Sequence, residues 1–205
     1  MRFIMTLVCL LGLNILLSAQ NSGVVNGHKW VDLGLPSGIK WAACNVGAIS
    51  PEEYGDYFAW GEISSKNKYV MKNSLTYGEQ IGNIEGNNVY DVATAKWGRG
   101  WRMPTEVEMQ ELIDNCTWIW ITMNDVNGYI VTGSNGNSIF MPAAGSRYDS
   151  LLNYAGSSGL YWSSTYSDFR YCDEYSNALY MVSSKPYMNV CARNLGLSVR
   201  PVIKF

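Results

Sequence analysis

The stretch at residues 97–120, WGRGWRMPTEVEMQELIDNCTWIW, constrains the fold most and contains four of the eight tryptophans. The Thr105 hydroxyl can cap a first helical turn, and Glu108 can reach back to the Thr105 N–H, which makes a capping box. Apolar residues follow at helical spacing, at Met109, Leu112, Ile113 and Cys116. We predict a capped helix in the core, followed by a strand at residues 118–122. The stretch also offers a buried arginine–carboxylate pair among Arg99, Arg102 and Glu106.

Short strands and turns surround this helix. The Asn-Gly pair at residues 135–136 predicts a hairpin, and Asp91 is suited to cap a short helix that ends near Trp97. Residues 64–88 are polar and lack periodicity, which is typical of a long surface segment. Further strands are predicted at residues 28–34, 39–46, 160–165, 178–183, 188–192 and 197–203, with a turn at 184–186. The pattern predicts one α+β domain at residues 28–205, preceded by a flexible tail at residues 20–27.

Residues 1–19 are typical of a secretory signal peptide. Arg2 provides the positive start, residues 3–17 form the apolar run, and cleavage is expected after Ala19. A retained membrane anchor is the alternative, although Asn14 interrupts a run that is already short for a span. The net charge of −2 and the lack of a basic block argue against nucleic acid as a partner. We expect a secreted, periplasmic or cell-surface protein of a Gram-negative bacterium, without a stable membrane span after signal cleavage.

Six ordered segments carry a family resemblance. They read VDLGLPSGIKWAACNVGA, GDYFAWGE, WGRGWRMPTEVEMQELIDNCTW, GNSIFMPAAG, YWSST and SVRPV, and they span residues 31–202. They resemble the Fibrobacter succinogenes major paralogous domain, which is common in secreted and surface proteins of gut Bacteroidetes. The resemblance implies a C-type-lectin-like fold of the branch shared with formylglycine-generating enzymes, with paired termini, two helices and small twisted antiparallel sheets. It implies little about activity, because the function of most members is unknown.

The chain offers little chemistry for catalysis. An oxidase of the formylglycine-generating type needs a close pair of reactive cysteines, whereas Cys172 and Cys191 lie nineteen positions apart. The single histidine, His28, cannot build an iron or zinc site, and Ser163 and Ser164 lack a histidine base. We therefore predict that the protein is not an enzyme and uses neither a metal nor another cofactor. A polysaccharide-active hydrolase is a lesser alternative, with carboxylate pairs at Asp56 and Glu62 or at Asp173 and Glu174.

The run YSDFRYCDEY at residues 166–175 has the composition of a binding surface. Rigid amphipathic rings alternate with adaptable polar groups, and the resemblance implies that this segment lies on the face used for ligands. In some relatives it resembles a variable region diversified by retroelements. We predict a non-enzymatic module that presents a Tyr-rich surface to a glycan or protein on a cell surface. A solvated loop, or a structural domain that assembles without a soluble ligand, is the alternative. The predicted binding residues are Tyr148, Tyr154, Tyr166, Asp168, Phe169, Arg170, Tyr171, Asp173, Tyr175, Tyr187, Asn189 and Arg193.

Two modifications are also predicted. Four cysteines remain after the signal, and an even number in an oxidising compartment favours two disulfides. Cys44 and Cys116 lie in segments that carry the family resemblance, and we expect them to be neighbours. Cys172 and Cys191 would tie the Tyr-rich segment to the following strand, while buried free thiols are the alternative. The triplet DSL around Ser150 resembles the O-glycosylation signal of Bacteroidetes, so Ser150 is a candidate modification site.

Overall fold

The computed structural model describes residues 21–98, 100–168 and 173–205. Within them lie helices α1 (Val92–Trp97) and α2 (Glu106–Asn115) and a 3₁₀ turn at Met71–Asn73. The strands are β1 (Ser22–Val25), β2 (His28–Asp32), β3 (Lys40–Ala42), β4 (Trp101–Arg102), β5 (Thr117–Met123), β6 (Val126–Thr132), β7 (Ser138–Pro142), β8 (Ser146–Tyr148), β9 (Leu151–Asn153), β10 (Ser158–Tyr166), β11 (Tyr175–Val182), β12 (Lys185–Ala192) and β13 (Val202–Ile203). This mixture confirms the predicted α+β class.

The strands form small sheets whose neighbouring members pair antiparallel. One sheet has the order β1-β2-β3-β13-β4, so that strands from both ends of the described chain lie in it. The sheets β5-β6-β7 and β10-β11-β12 have three strands each, and β8-β9 is a separate hairpin. The Asn-Gly pair lies between β6 and β7, as predicted, where Gly136 has a positive φ of 83°.

Helix α2 begins where the capping box predicts. The Glu108 N–H donates to Thr105 Oγ1 at 3.3 Å, and the Thr105 N–H donates to Glu108 Oε2 at 2.9 Å. Met109 and Leu112 are fully buried, while Ile113 packs at the margin of the same core. The predicted helix and the strand after it are therefore confirmed. They could be predicted because the cap and the apolar face lie within one short segment.

The sheet β10-β11-β12 separates two hydrophobic cores. Since successive side chains of a strand point to opposite faces, each strand contributes to both. One face packs in a cluster that includes Trp60, Trp101 and Trp162, and the other packs with α2 through Leu179 and Met109. The described residues contain no helix long and apolar enough to cross a membrane.

Two boundaries differ from the sequence-based predictions. Ser22–Val25 was expected in a flexible tail but forms β1, which pairs with β2 around Asn26 and Gly27, both of positive φ. The expected turn at residues 184–186 is also displaced, because Lys185 already pairs with Val182 across a two-residue turn. Pro186 is tolerated there since β12 is an edge strand, where a missing N–H breaks no ladder bond.

The segment at residues 64–88 is irregular, as predicted, but it is anchored. Tyr69, Thr76 and Ile84 are fully buried within it. The Tyr69 N–H donates to the Asp149 carbonyl at 2.8 Å, and the Ile84 N–H donates to the Ser164 carbonyl at 3.0 Å. A few buried side chains and backbone hydrogen bonds therefore hold this mostly polar segment against the rest of the domain.

The expected arginine–carboxylate pair exists, but its acid is Glu108 rather than Glu106. Arg102 donates to both carboxylate oxygens of Glu108, at 2.7 and 2.5 Å, and also contacts Glu85 at 3.0 Å. Glu106 instead accepts from the side chain of Asn177 at 2.9 Å. The capping box places Glu108 beside Arg102, which explains the exchange. Arg99 lies outside the described residues.

Candidate functional site

A polar cleft of about 250 Å³ lies beside the β8–β9 hairpin. Its walls come from three separate parts of the chain, namely residues 55–57, residues 65–69 and strand β8. We call it the Arg147 cleft, after the arginine that β8 contributes. Its volume is below the roughly 300–1,000 Å³ of sites for drug-sized ligands, so it suits one small polar unit. The lining residues are Gly55, Asp56, Tyr57, Ser65, Lys66, Asn67, Tyr69 and Arg147.

Two buried tyrosines fix the floor of the Arg147 cleft. The Tyr57 hydroxyl donates to the Ala144 carbonyl at 2.6 Å, and the Tyr69 hydroxyl donates to the Tyr57 carbonyl at 2.5 Å. The Lys66 N–H in turn donates to the Tyr69 hydroxyl at 3.0 Å. Burial raises the pKa of both phenols, so they remain neutral hydrogen-bonding groups. This chain of bonds joins the wall segments and makes the cleft preorganised.

A close backbone approach brings Asp56 to the cleft. Gly55 has a φ of 71°, and a Cβ there would lie 2.3 Å from the Val46 carbonyl oxygen. The Asp56 N–H donates to that same carbonyl at 2.9 Å. A Cβ on Gly47 would meet Asp56 Cγ at 2.6 Å, so the glycine also leaves room for the carboxylate. The two glycines are therefore required by the position of Asp56.

Two opposite charges face the Arg147 cleft without partners of their own. The Arg147 guanidinium lies over the Tyr57 ring, 5.0 Å from its centroid, and it is half-buried. Across the described parts of the chain it makes no ion pair and donates no hydrogen bond, and the Asp56 carboxylate accepts none. Ser65 and Asn67 add an exposed hydroxyl and an exposed amide. The cleft thus offers both strong donors and strong acceptors to a ligand.

Lys66, by contrast, is already neutralised. Its ammonium lies 2.6 Å from Glu62 Oε2 and donates to the Asn73 carbonyl at 2.6 Å. Glu62 is buried and also accepts from the Leu75 N–H at 2.8 Å. Glu62 therefore holds the loop and is engaged within the protein, so the carboxylate pair of Asp56 and Glu62 considered for hydrolysis lacks a free second acid.

The β8–β9 hairpin presents different chemistry on its two faces. Directly opposed residues of an antiparallel pair share a face, so Arg147 shares one with Leu152, and Tyr148 shares the other with Leu151. Tyr148 and Leu151 are both more than half exposed. The predicted modification site, Ser150, is exposed in the turn between them. The face that bears Arg147 also carries Leu152, whereas the outer face presents the apolar pair of Tyr148 and Leu151.

The predicted binding tyrosines do not form one patch. Tyr154 is 71% exposed, and its carbonyl accepts from the Ser158 N–H at 2.9 Å at the start of β10. Tyr166 lies at the other end of that strand, eight residues after Ser158 and roughly 25 Å from it. Tyr187 and Asn189 are exposed on edge strand β12, where the Tyr187 ring lies 5.1 Å from that of Tyr180. Asp168 is exposed, whereas Asp173 and Tyr175 are half-buried. Three predicted binding residues lie outside the described ones, namely Phe169, Arg170 and Tyr171.

The assignment of Arg193 to the binding surface is wrong. Its side chain is fully buried, with the guanidinium 4.4 Å from the Trp60 ring centroid. It donates to the carbonyls of Thr76 at 3.2 Å and Glu79 at 2.8 Å, and to the Ser176 hydroxyl at 3.0 Å. These bonds tie the irregular segment at residues 64–88 to β11. Arg193 is therefore part of the scaffold and cannot reach a surface ligand.

The surroundings of the candidate cysteines and serines do not activate them as nucleophiles. Burial raises the pKa of the Cys116 thiol to about 11 and that of Cys191 to about 12, so both are protonated near neutral pH. Cys44 is half-buried. Both predicted disulfides stay predictions, and Cys172 lies outside the described residues. Ser164 donates to the Pro104 carbonyl at 3.2 Å, which is a structural contact.

In the described part of the chain, no group of three or more His, Cys, Asp or Glu side chains is arranged to hold a metal ion. No family model, curated protein or solved structure matches the chain. The resemblance to the major paralogous domain therefore stays a prediction. The Arg147 cleft was not predicted as a unit, because its charged residues are separated by about ninety positions in the sequence.

Proposed function

We propose that this protein is a non-enzymatic binding module, secreted or exposed on a cell surface, that binds a glycan in the Arg147 cleft. One observation carries the proposal: Arg147 and Asp56 face the same small cleft, and neither side chain forms an ion pair or a hydrogen bond with a described residue. Sugar hydroxyls both donate and accept hydrogen bonds, so they can satisfy a guanidinium and a carboxylate together. The cleft volume of about 250 Å³ is on the scale of one sugar unit rather than of a larger ligand.

The C-type-lectin-like fold is part of this proposal. Small antiparallel sheets with two helices agree with it, as does the sheet that joins β1–β3 with β13. In such an arrangement a rigid scaffold carries irregular segments that are free to recognise ligands. The Arg147 cleft is formed mainly by segments of this kind, and the buried bonds of Tyr57 and Tyr69 hold them in place.

The test is a glycan array probed with the protein secreted by a host that expresses the full chain. We expect capture of at least one glycan, reduced at least tenfold by Arg147→Gln or Asp56→Asn. Lys68→Gln is the matched control for Arg147→Gln, because Lys68 is an exposed cation nearby that does not line the cleft. Loss of capture by the control alone, or binding unaffected by either cleft variant, would refute the assignment to the cleft.

The Tyr-rich segment remains the alternative location for the binding site. Tyr166 is partly exposed at the end of β10, and Asp168 beside it is exposed. The double variant Tyr166→Ala with Tyr187→Ala separates the two locations, since neither residue lines the Arg147 cleft. Capture that is lost in this variant but unchanged in Arg147→Gln would move the binding site to the Tyr-rich surface.

A second candidate function is assembly through protein contacts, and the outer face of the hairpin favours it. Tyr148 and Leu151 share that face and are 53% and 62% exposed. Exposed apolar side chains that lie side by side can be covered by a second molecule. Light scattering over a concentration series would test it. Self-association that is abolished by Tyr148→Ser with Leu151→Ser supports assembly, whereas a monomer at all concentrations contradicts it.

A further inference from the structure

We propose that the glycan bound in the Arg147 cleft carries a carboxylate, as in a uronic acid, and that this carboxylate pairs with Arg147. The inference rests on the proposed glycan-binding function and names the class of sugar. Four features lead to it: the charges around the cleft, the shape of the guanidinium, the way the backbone of Arg147 is held, and the position of Asp56.

The charges around the cleft leave one cation free. Lys66 lies between Glu62 and the Asn73 carbonyl, and Lys68, outside the cleft, pairs with Asp149 at 3.3 Å. Arg147 has no such partner within the described residues. Asp56 lines the same cleft without a direct ion pair to Arg147, so a ligand carboxylate would give the guanidinium a bonded counter-ion that the described residues do not provide.

The shape of the Arg147 guanidinium favours a planar anion. Its N–H donors lie in the plane of the group and form a rigid fork. The Tyr57 ring beneath it is fixed by its own hydroxyl, which donates to Ala144. A carboxylate matches two parallel N–H donors of such a fork, whereas a sugar hydroxyl matches only one at a time.

The backbone of Arg147 is also held firmly. Its N–H donates to the Gly196 carbonyl at 2.8 Å, and its carbonyl accepts from the Gly196 N–H at 2.9 Å. A Cβ on Gly196 would lie 2.7 Å from the Tyr69 ring, so the strand approaches the floor of the cleft closely. The backbone of Arg147 is therefore fixed before a ligand arrives, so only the side-chain torsions remain to be ordered on binding.

Asp56 limits the ligand to a single negative charge at one end. Its carboxylate lines the same cleft and accepts no hydrogen bond from the described residues, so it would accept from hydroxyls and would repel a second anion. A uronic acid offers a carboxylate and several hydroxyls on one ring. We therefore infer that the carboxylate lies at Arg147 and that ring hydroxyls donate to Asp56.

The experiment compares oligosaccharides of galacturonate, glucuronate, mannuronate and guluronate with their carboxyl-reduced neutral forms. Affinities are measured by calorimetry with the secreted protein. We expect at least one acidic oligosaccharide to bind and to lose at least tenfold in affinity when its carboxyl groups are reduced. Arg147→Gln should weaken the acidic form at least tenfold and leave the affinity for its reduced form within threefold. Lys68→Gln, which changes the net charge equally, should leave both affinities within threefold.

The other outcomes overturn the inference in distinguishable ways. If neutral forms bind as tightly as acidic ones in an Asp56-dependent manner, the glycan-binding function stands and the carboxylate is excluded. If a sulfated oligosaccharide that has no carboxyl group binds as tightly as the uronate, the cleft recognises any anion and the specific claim fails. If no glycan on the array and no uronate binds, both the function and the inference fail.

Discussion

Replacement of Arg200 should lower the free energy of unfolding strongly. It is fully buried, and its guanidinium donates four hydrogen bonds. The acceptors are the Asn45 side chain at 2.8 Å, the carbonyls of Ala42 at 3.1 Å and Ala43 at 2.9 Å, and the Phe140 carbonyl at 3.0 Å. Because three of these acceptors lie at or just after the end of β3 and the fourth, Phe140, lies on β7, the side chain joins two sheets. Arg200→Lys keeps the charge and removes the fork.

The expected loss follows from these bonds. Hydrogen bonds to a charged group contribute about 1.5–3 kcal/mol each, so four give an upper bound of about 6–12 kcal/mol. An ammonium has three donors and recovers part of this, although it cannot reach two sheets at once. We expect a loss of about 3–5 kcal/mol, similar to the breaking of a buried ion pair. That is a large fraction of the roughly 5–15 kcal/mol that stabilises a typical domain.

Urea unfolding followed by tryptophan fluorescence measures this loss. With a slope of about 2 kcal/mol per M, the unfolding midpoint of Arg200→Lys should fall by roughly 2 M. Arg147→Lys is the matched control, because among the described residues that half-buried side chain makes only a ring contact, worth about 0.5–1 kcal/mol. A midpoint for Arg200→Lys within about 0.3 M of the control would refute the role assigned to the four bonds.

Three further predictions concern single sites. Thr105→Ala should lower the free energy of unfolding by about 1 kcal/mol in urea, and Thr105→Ser should restore it, since the hydroxyl caps α2. Burial lowers the pKa of His28, which stacks on Trp97 at 3.7 Å, so the stability it contributes is present above about pH 6.5 and is lost as the pH falls through its folded pKa. His28→Phe should flatten that decline below about pH 6.5, and an unchanged slope would contradict the assignment. Gly55→Ala should cost about 1–3 kcal/mol in thermal unfolding and also reduce glycan capture, because its Cβ would meet the Val46 carbonyl.

Local elements were predictable because their causes act over a few residues. The capping box of Thr105 and Glu108, the Asp91 cap of α1 and the Asn-Gly turn after β6 each depend on neighbours within one turn. The same Asn-Gly signal at Asn26 and Gly27 predicts the β1–β2 hairpin. The prediction of a flexible tail at residues 20–27 does not use this signal, because it rests only on the position of the segment after a signal peptide.

The Arg147 cleft was not predictable in this way. The sequence suggests Asp56 only as half of a carboxylate pair with Glu62, whereas in the structure Glu62 forms an ion pair with Lys66. Arg147 lies in a short polar strand that has no distinctive motif. Since Asp56 and Arg147 meet only through the packing of Tyr57 and Tyr69, no spacing in the sequence indicates the cleft.

The sequence by itself determined the α+β class, the core helix and the turns, because capping and periodicity operate between residues close in the chain. Tertiary structure alone decided which polar side chains are free. Arg147 and Arg193 both lie among polar and aromatic residues in the sequence. Packing surrounds Arg193 with the carbonyls of Thr76 and Glu79, while Arg147 is left with a tyrosine ring and an open cleft. Whether a charge is engaged or available depends on which distant backbone groups fold around it.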